Sequence, residues 1–249
     1  MAKSKNDVNI HFEGKTDGLV VKLNGKIIFP YQEEKIIKEI NPNKLKTQLI
    51  AGVAAVYSGG INRIKPLRET WKKWPVKSRV PYRNILAANI KRCTSEHPTR
   101  GNMICPNSSM SLPEVQSLLD AEGIKIGVAP LMEWTGFEGS ENMITAVGIL
   151  SAYSPREKDY ESCIVYPLSA QIKDFNPKQN IEVIFGFNAE MIKNISNYEK
   201  CILYFTLVVG EDIGMTKRWF NQHVEEYLLS NDGDGKLEGG EQMINKVIQ

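Results

Sequence analysis

Nine consecutive residues limit this chain most: Cys201-Ile202-Leu203-Tyr204-Phe205-Thr206-Leu207-Val208-Val209. The run is apolar and rich in β-branched and aromatic residues. Polar or Gly-containing segments bound it, which is how a buried strand reads. It is far shorter than the ~18 apolar residues that cross a bilayer as a helix. Ile181–Phe187 has the same character and is the expected partner strand.

Period-two patterning and short apolar runs fill the chain after Gly123. Ile124–Val128, Leu131–Trp134, Met143–Tyr153, Ser162–Tyr166, Ile181–Phe187 and Ile202–Val209 read as strands. Turns such as Ser154-Pro155, Asn176-Pro177 and Gly210-Glu211-Asp212 separate several of them. Short strands at this spacing argue for an antiparallel β-sandwich. Thr216–Leu229 reads as an amphipathic helix, with Trp219, Phe220, Val224, Tyr227 and Leu228 apolar.

The first part of the chain reads differently. Val8–Phe12 alternates. Asn24-Gly25 lies between the apolar runs Leu19–Leu23 and Lys26–Pro30. That is a hairpin signal, because a type I′ turn needs positive φ at both central residues. Glu33–Ile40 fits a polar strand or a short helix. Asn41-Pro42 is a helix start, with Asn as cap and Pro at the first position. The helix is expected over Lys44–Tyr57, ended by Ser58-Gly59-Gly60. A second is expected over Arg63–Trp74 and a third over Tyr82–Cys93, each with apolar residues at helical spacing. Thr94–Ser109 is polar and reads as a loop or linker at a domain boundary. Ser111-Leu112-Pro113-Glu114 resembles a capping box before a short helix, Val115–Ala121. The expected class is α+β: a β-hairpin and basic helical region over 1–110, a β-sandwich over 111–215, and a helical, acidic tail over 216–249.

With 42% apolar and 24% charged residues in 249, a real core can form. Charge is unevenly spread. Residues 61–100 carry eleven Lys/Arg against two acidic residues, 11 − 2 = +9. Residues 181–249 carry six Lys/Arg against eleven Asp/Glu, 6 − 11 = −5. Such a split suits complementary faces within one molecule, an anionic partner, or head-to-tail association of copies. The basic candidates for a nucleic-acid surface are Arg63, Lys65, Arg68, Lys72, Lys73, Lys77, Arg79 and Arg83. Trp71, Trp74 and Tyr82 lie among them, and bases stack on such rings. However, Trp71 and Trp74 share the apolar face of the expected helix, which assigns them to the core first.

The one local motif with a mechanism is Ser230–Glu241. Against the twelve-residue EF-hand loop, Ser230, Asp232, Asp234, Lys236, Glu238 and Glu241 fall at ligand positions one, three, five, seven, nine and twelve. Gly235 falls at the sharp turn. A hard cation such as Ca²⁺ wants oxygens converging from one tight loop, although Ser230 stands where a carboxylate is usual. Helices are expected on both sides. Cys93, Cys105, Cys163 and Cys201 form no Cys-x-x-Cys pair and read as reduced core thiols. His97 lies near Cys93 and Cys105 in sequence, which does not by itself pair them in space. No phosphate loop, nucleophile elbow or His-x-x-x-His pair occurs. Nor does a charged-then-apolar leader open the sequence, so a cytoplasmic setting is the default expectation, with a virion or released assembly beside it.

The order of motifs resembles an uncharacterised family of bacterial proteins, filed as a domain of unknown function. The residues that carry the likeness are Asn41-Pro42, Thr47-Gln48-Leu49, Pro81-Tyr82-Arg83-Asn84, Ala152-Tyr153-Ser154-Pro155 and Cys201-Ile202-Leu203-Tyr204-Phe205, across roughly residues 10–215. The resemblance implies an N-terminal hairpin with helices and a C-terminal immunoglobulin-like sandwich. It brings no activity and no catalytic residues, and the tail after Thr216 departs from it. The first functional expectation is a non-catalytic structural or interaction protein within a bacterial or phage assembly, self-associating or bound to a protein partner. A nucleic-acid-associated protein and a calcium-binding adaptor are the alternatives. An enzyme ranks behind all three.

Overall fold

A computed structural model describes residues 15–16, 19–20, 31–32, 41–74, 78–120, 122–131, 143–173, 176–210, 216–231 and 237–239. The chain divides into two compact units, Met1–Leu45 and Lys46–Gln249. In the first, short strands β1 (Lys15–Thr16), β2 (Leu19–Val20) and β3 (Tyr31–Gln32) form an antiparallel sheet in that order. Leu19 pairs with Gln32 and Val20 with Tyr31. The runs Val8–Phe12 and Glu33–Ile40, and the Asn24-Gly25 turn, lie outside the described residues.

Helix α1 spans Pro42–Arg63. Its start is the expected one: Asn41 Oδ1 accepts from Asn43 N at 3.0 Å, and Asn41 O accepts from Leu45 N at 3.0 Å. Its end is not. The helix runs through Ser58-Gly59-Gly60. Gly60 is buried, and a Cβ there would stand 2.9 Å from Val165 Cγ1. This glycine lets the helix lie close to the sheet below it and is not a stop signal. α2 (Lys65–Lys73) and α3 (Pro81–Asn89) follow, each with Pro in its first turn, and a 3₁₀ turn closes at Ile90–Arg92.

The strands of the second unit are β4 (Val115–Asp120), β5 (Gly123–Val128), β6 (Met143–Pro155), β7 (Cys163–Lys173), β8 (Ile181–Gly186), β9 (Tyr198–Gly210), β10 (Thr216–Trp219), β11 (His223–Asn231) and β12 (Leu237–Gly239). A short helix, α4 (Ala189–Ile195), precedes β9 and is capped by Asn188. The large antiparallel sheet runs β12-β11-β9-β6-β7, with β10 also on β9. The small one runs β4-β5-β8. The class is mixed α+β with antiparallel sheets.

One core lies between the two sheets. It joins Ile144, Ala146, Leu150, Leu203, Phe205 and Leu207 of the large sheet to Leu119, Ile124, Val183 and Phe185 of the small one. A second core lies on the other face of the large sheet. There Val147, Ile149, Ile202 and Tyr204 meet Tyr57, Ile61, Leu67, Trp71 and Ile85 of the helices. Residues alternate along a strand between the two cores, as a period of two demands. This explains the unbroken apolar run at Cys201–Val209: β9 is buried on both faces. Its partner is not Ile181–Phe187. β9 pairs β6, β10 and β11, while β8 pairs β5. The two segments meet across the core, where Phe185 and Phe205 pack edge to face at 6.3 Å.

Two expected helices are strands. Val115, Leu118 and Leu119 sit at the spacing of a helix face. The chain instead alternates, with Ser117 and Leu119 inward and Gln116 and Leu118 outward, and it ladders on β5. Thr216–Leu229 forms β10 and β11, because the edge of β9 offers a full ladder from His223↔Phe205 to Leu228↔Lys200. The polar segment Thr94–Ser109, read as a linker, packs inside this unit. Leu131 is buried, and the rest of Leu131–Trp134 lies outside the described residues.

Candidate functional site

Strands β4, β5 and β8 bury alternate side chains and turn the others outward. Register puts Leu118, Lys125 and Ile184 in one outward row, and Gln116, Gly127 and Glu182 in the next. Leu118 is 57% exposed and Ile184 65%. Gly127 carries no side chain between Gln116 and Glu182, so the face dips. A shallow cleft of about 470 Å³ lies there, with Leu118, Lys125, Glu182 and Ile184 among its walls. Lys125 Nζ is 2.8 Å from Asp120 Oδ2. That bond holds the Asp120 carboxyl below the usual carboxylate range and raises the lysine. Glu114, Glu122 and Glu182 are exposed, and no ion pair among the described residues engages them. The face is thus apolar at its centre and acidic around it, the composition of an interaction surface. Sequence reasoning misses it, because the helix expected over Val115–Ala121 gives no outward row shared with other strands. The signal it could have used is Asp120-Ala121-Glu122-Gly123, where Asp120 Oδ1 accepts from Glu122 N and Gly123 N and turns the hairpin.

The helical layer carries the basic candidates. Arg63, Lys65, Lys72, Lys73, Arg79 and Arg83 are exposed and Arg68 is half-buried, while Lys77 lies outside the described residues. Lys72 pairs with Glu69 at 2.7 Å, and Lys73 donates to Thr216 O. Of the aromatic residues among them, Tyr82 is half-buried and the two tryptophans belong to the core. Trp71 is buried and its Nε1 donates to Ile104 O at 2.9 Å, and Trp74 packs edge to face on it at 6.3 Å.

A polar seam joins the segment 89–110 to the β10–β11 connection. Side-chain amides act there as pieces of backbone. Asn89 Oδ1 accepts from Met103 N at 2.7 Å while its Nδ2 donates to Met103 O at 2.9 Å. Gln222 accepts from Ile104 N at 2.7 Å and donates to Asn102 O at 2.6 Å. Asn221 accepts from Ser108 N and donates to Ser108 O, both at 2.8 Å. These amides are spent on holding an irregular segment that has no ladder of its own. A cleft of about 550 Å³ beside them is lined by Arg92, Asn107 and Ser108 among others.

The thiols are core groups. All four cysteines are free and buried. Burial pushes Cys105 and Cys163 up to about 12, so neither is a thiolate at neutral pH. His97 does not engage Cys93 or Cys105. It stacks on Tyr153 at 4.1 Å, and its Nδ1 donates to Pro98 O at 2.8 Å. Cys93 Sγ instead accepts from Asn102 Nδ2 at 3.2 Å. The Tyr153 hydroxyl donates to the Glu226 carboxylate.

The helix expected before Ser230–Glu241 is a strand, and the helix expected after it lies outside the described residues. Strand β11 leads into it, and β12 pairs back on β11 with Ser230 opposite Glu238. Asp232, Asp234, Lys236 and Glu241 lie outside the described residues. No cluster of three metal-ligating side chains occurs among the described residues. No helix among them is long and apolar enough to cross a membrane, which says nothing of β-barrels.

No family model matches the chain. No curated protein matches it. Among solved structures, the chain is similar to the solution structure of AT1g01470 from Arabidopsis thaliana. The identity is 10% over 51% of this chain and 83% of that one, with a TM-score of 0.24. A likeness of that size carries no argument about fold or function.

Proposed function

We propose that this chain is a non-catalytic structural protein that assembles with protein through the outward face of the β4-β5-β8 sheet. The observation that carries this is the row Leu118–Lys125–Ile184, which leaves two large apolar side chains on the solvent side of a sheet whose other side is core. Isolated exposed apolar side chains are ordinary; two in one row, on the strands that flank β5 and beside a dip, are not. The same reading takes the two sheets as an immunoglobulin-like sandwich carrying a helical layer. Antiparallel sheets that share one core support it.

Size-exclusion chromatography with light scattering tests the assembly. The expected result is concentration-dependent association of the full chain at about 50 mM salt, where charged contacts are least screened. The variant Leu118→Asn/Ile184→Asn should fold normally and stay monomeric. A wild-type chain that stays monomeric up to the highest soluble concentration sinks the reading.

A further inference from the structure

Resting on that reading, we propose that the partner is a second copy of this chain, docked head to tail: the helical layer of one copy lies on the small sheet of the next. The two surfaces lie on opposite sides of the Lys46–Gln249 unit. The large sheet separates them, with the helices packed on one of its faces and the small sheet on the other. Their charges oppose. Residues 61–100, which hold α2, α3 and the segments beside them, carry +9 by sequence. Small-sheet segments 114–131 and 176–187 carry Lys125 and Lys178 against Glu114, Asp120, Glu122 and Glu182, so 2 − 4 = −2. Lys125 is already engaged by Asp120, which leaves the exposed carboxylates to set the local field. Opposite charge selects the pairing and suppresses like-on-like docking of two helical layers. The apolar row Leu118 and Ile184 then supplies desolvated contact at the centre.

Two different patches on opposite sides make a heterologous contact. Such a contact builds rings or open filaments and not a closed two-fold dimer. Nucleic acid is the competing occupant of a basic surface. It is disfavoured here because Trp71 is buried with its N–H engaged and half-buried Trp74 packs on it, so the two tryptophans are spent on the core before any base could stack on them.

Sedimentation velocity on nuclease-treated full chain tests this, with two charge-reversed variants. One is Lys65→Glu/Arg79→Glu/Arg83→Glu, which places acids at or before helix N-termini, where the dipole favours them. The other is Glu114→Lys/Glu122→Lys/Glu182→Lys. Far-UV circular dichroism checks that both fold, and Gln versions of the same sets serve if either does not. The wild type should give an open-ended series at about 50 mM salt that collapses near 300 mM. Each variant alone should associate about tenfold or more weakly, and an equimolar mixture should recover the series, since each reversed face then meets its complement. Wild-type association that neither variant weakens overturns head-to-tail docking while leaving an assembling protein in place. A closed dimer, or a mixture that stays monomeric, does the same. Association abolished by the nuclease assigns the helical layer to nucleic acid. A wild type that never associates removes both this proposal and the reading beneath it.

Discussion

Asn89 shows what single residues do in this protein. It is fully buried between α3 and an irregular segment. Its amide donates to Ile85 O and Met103 O and accepts from Met103 N and Asn102 Nδ2. An aspartate there keeps the shape but cannot donate when ionised, and it turns a charge toward two carbonyl oxygens. Asn89→Asp should therefore cost about 3 kcal/mol or more, read from urea unfolding at neutral pH, and lose part of that cost in acid. Ser58 is the opposite case. Its hydroxyl is buried in α1 without a partner among the described residues. Ser58→Ala should stabilise by about 1 kcal/mol, through relief of that desolvation and better helix propensity. A destabilised variant would show that the hydroxyl is satisfied after all. The thiols predict a pH dependence. Cys105 and Cys163 are held protonated to about 12 in the folded state, whereas an unfolded thiol ionises near about 8.5. Stability from this source is complete below about pH 8.5 and falls as pH rises toward 12, by up to about 1.4 kcal/mol per pH unit for each thiol. Thermal melts across pH 7–10 should decline accordingly, and Cys105→Ala/Cys163→Ala should make the decline shallower without abolishing it, because burial raises Cys93 and Cys201 as well.

At the scale of elements, the β4–β5 hairpin turns on one glycine. Gly123 has φ +152°, and a Cβ there would stand 2.1 Å from Phe185 O, a backbone atom of β8. Gly123→Ala must open the β5–β8 ladder or distort the turn. It should cost at least about 2 kcal/mol in urea unfolding, with most of the loss of hydrogen-exchange protection in Gly123–Val128. Elements also show what the chain's own letters reveal. The strands at Ile124–Val128, Met143–Tyr153 and Ile181–Phe187 were legible, because burial gives them an unmistakable apolar pattern. So was the cap at Asn41-Pro42. β4 and β11 were not. Each has apolar residues at three- and four-residue spacing, and only pairing with β5 or β9, a long-range event, turns them into strands. The candidate face was hidden by the same error, since a helix over Val115–Ala121 gives no outward row shared with other strands. The amide seam left no periodic signal at all: Asn89, Asn102, Asn221 and Gln222 act on backbone distant in sequence.

At the largest scale, the large sheet is the shared wall of the Lys46–Gln249 unit. Its central strands β6 and β9 are thirteen residues each and apolar on both sides, so neither core can form without them. Unfolding of the Lys46–Gln249 unit should therefore be one cooperative transition, with tryptophan fluorescence and far-UV circular dichroism reporting the same midpoint. Two separated midpoints would mean that the helical layer melts from the sheet by itself. The order of these strands also bears on how the protein is made. A ribosome releases β6 and β7 well before β9, which covers the remaining edge of β6. Until then the nascent chain holds a long, doubly apolar strand with an open edge, the form of chain that aggregates unless chaperones shield it. Slow codons placed across residues 156–197 should therefore lower soluble yield in the cell while leaving the urea midpoint of the purified protein unchanged.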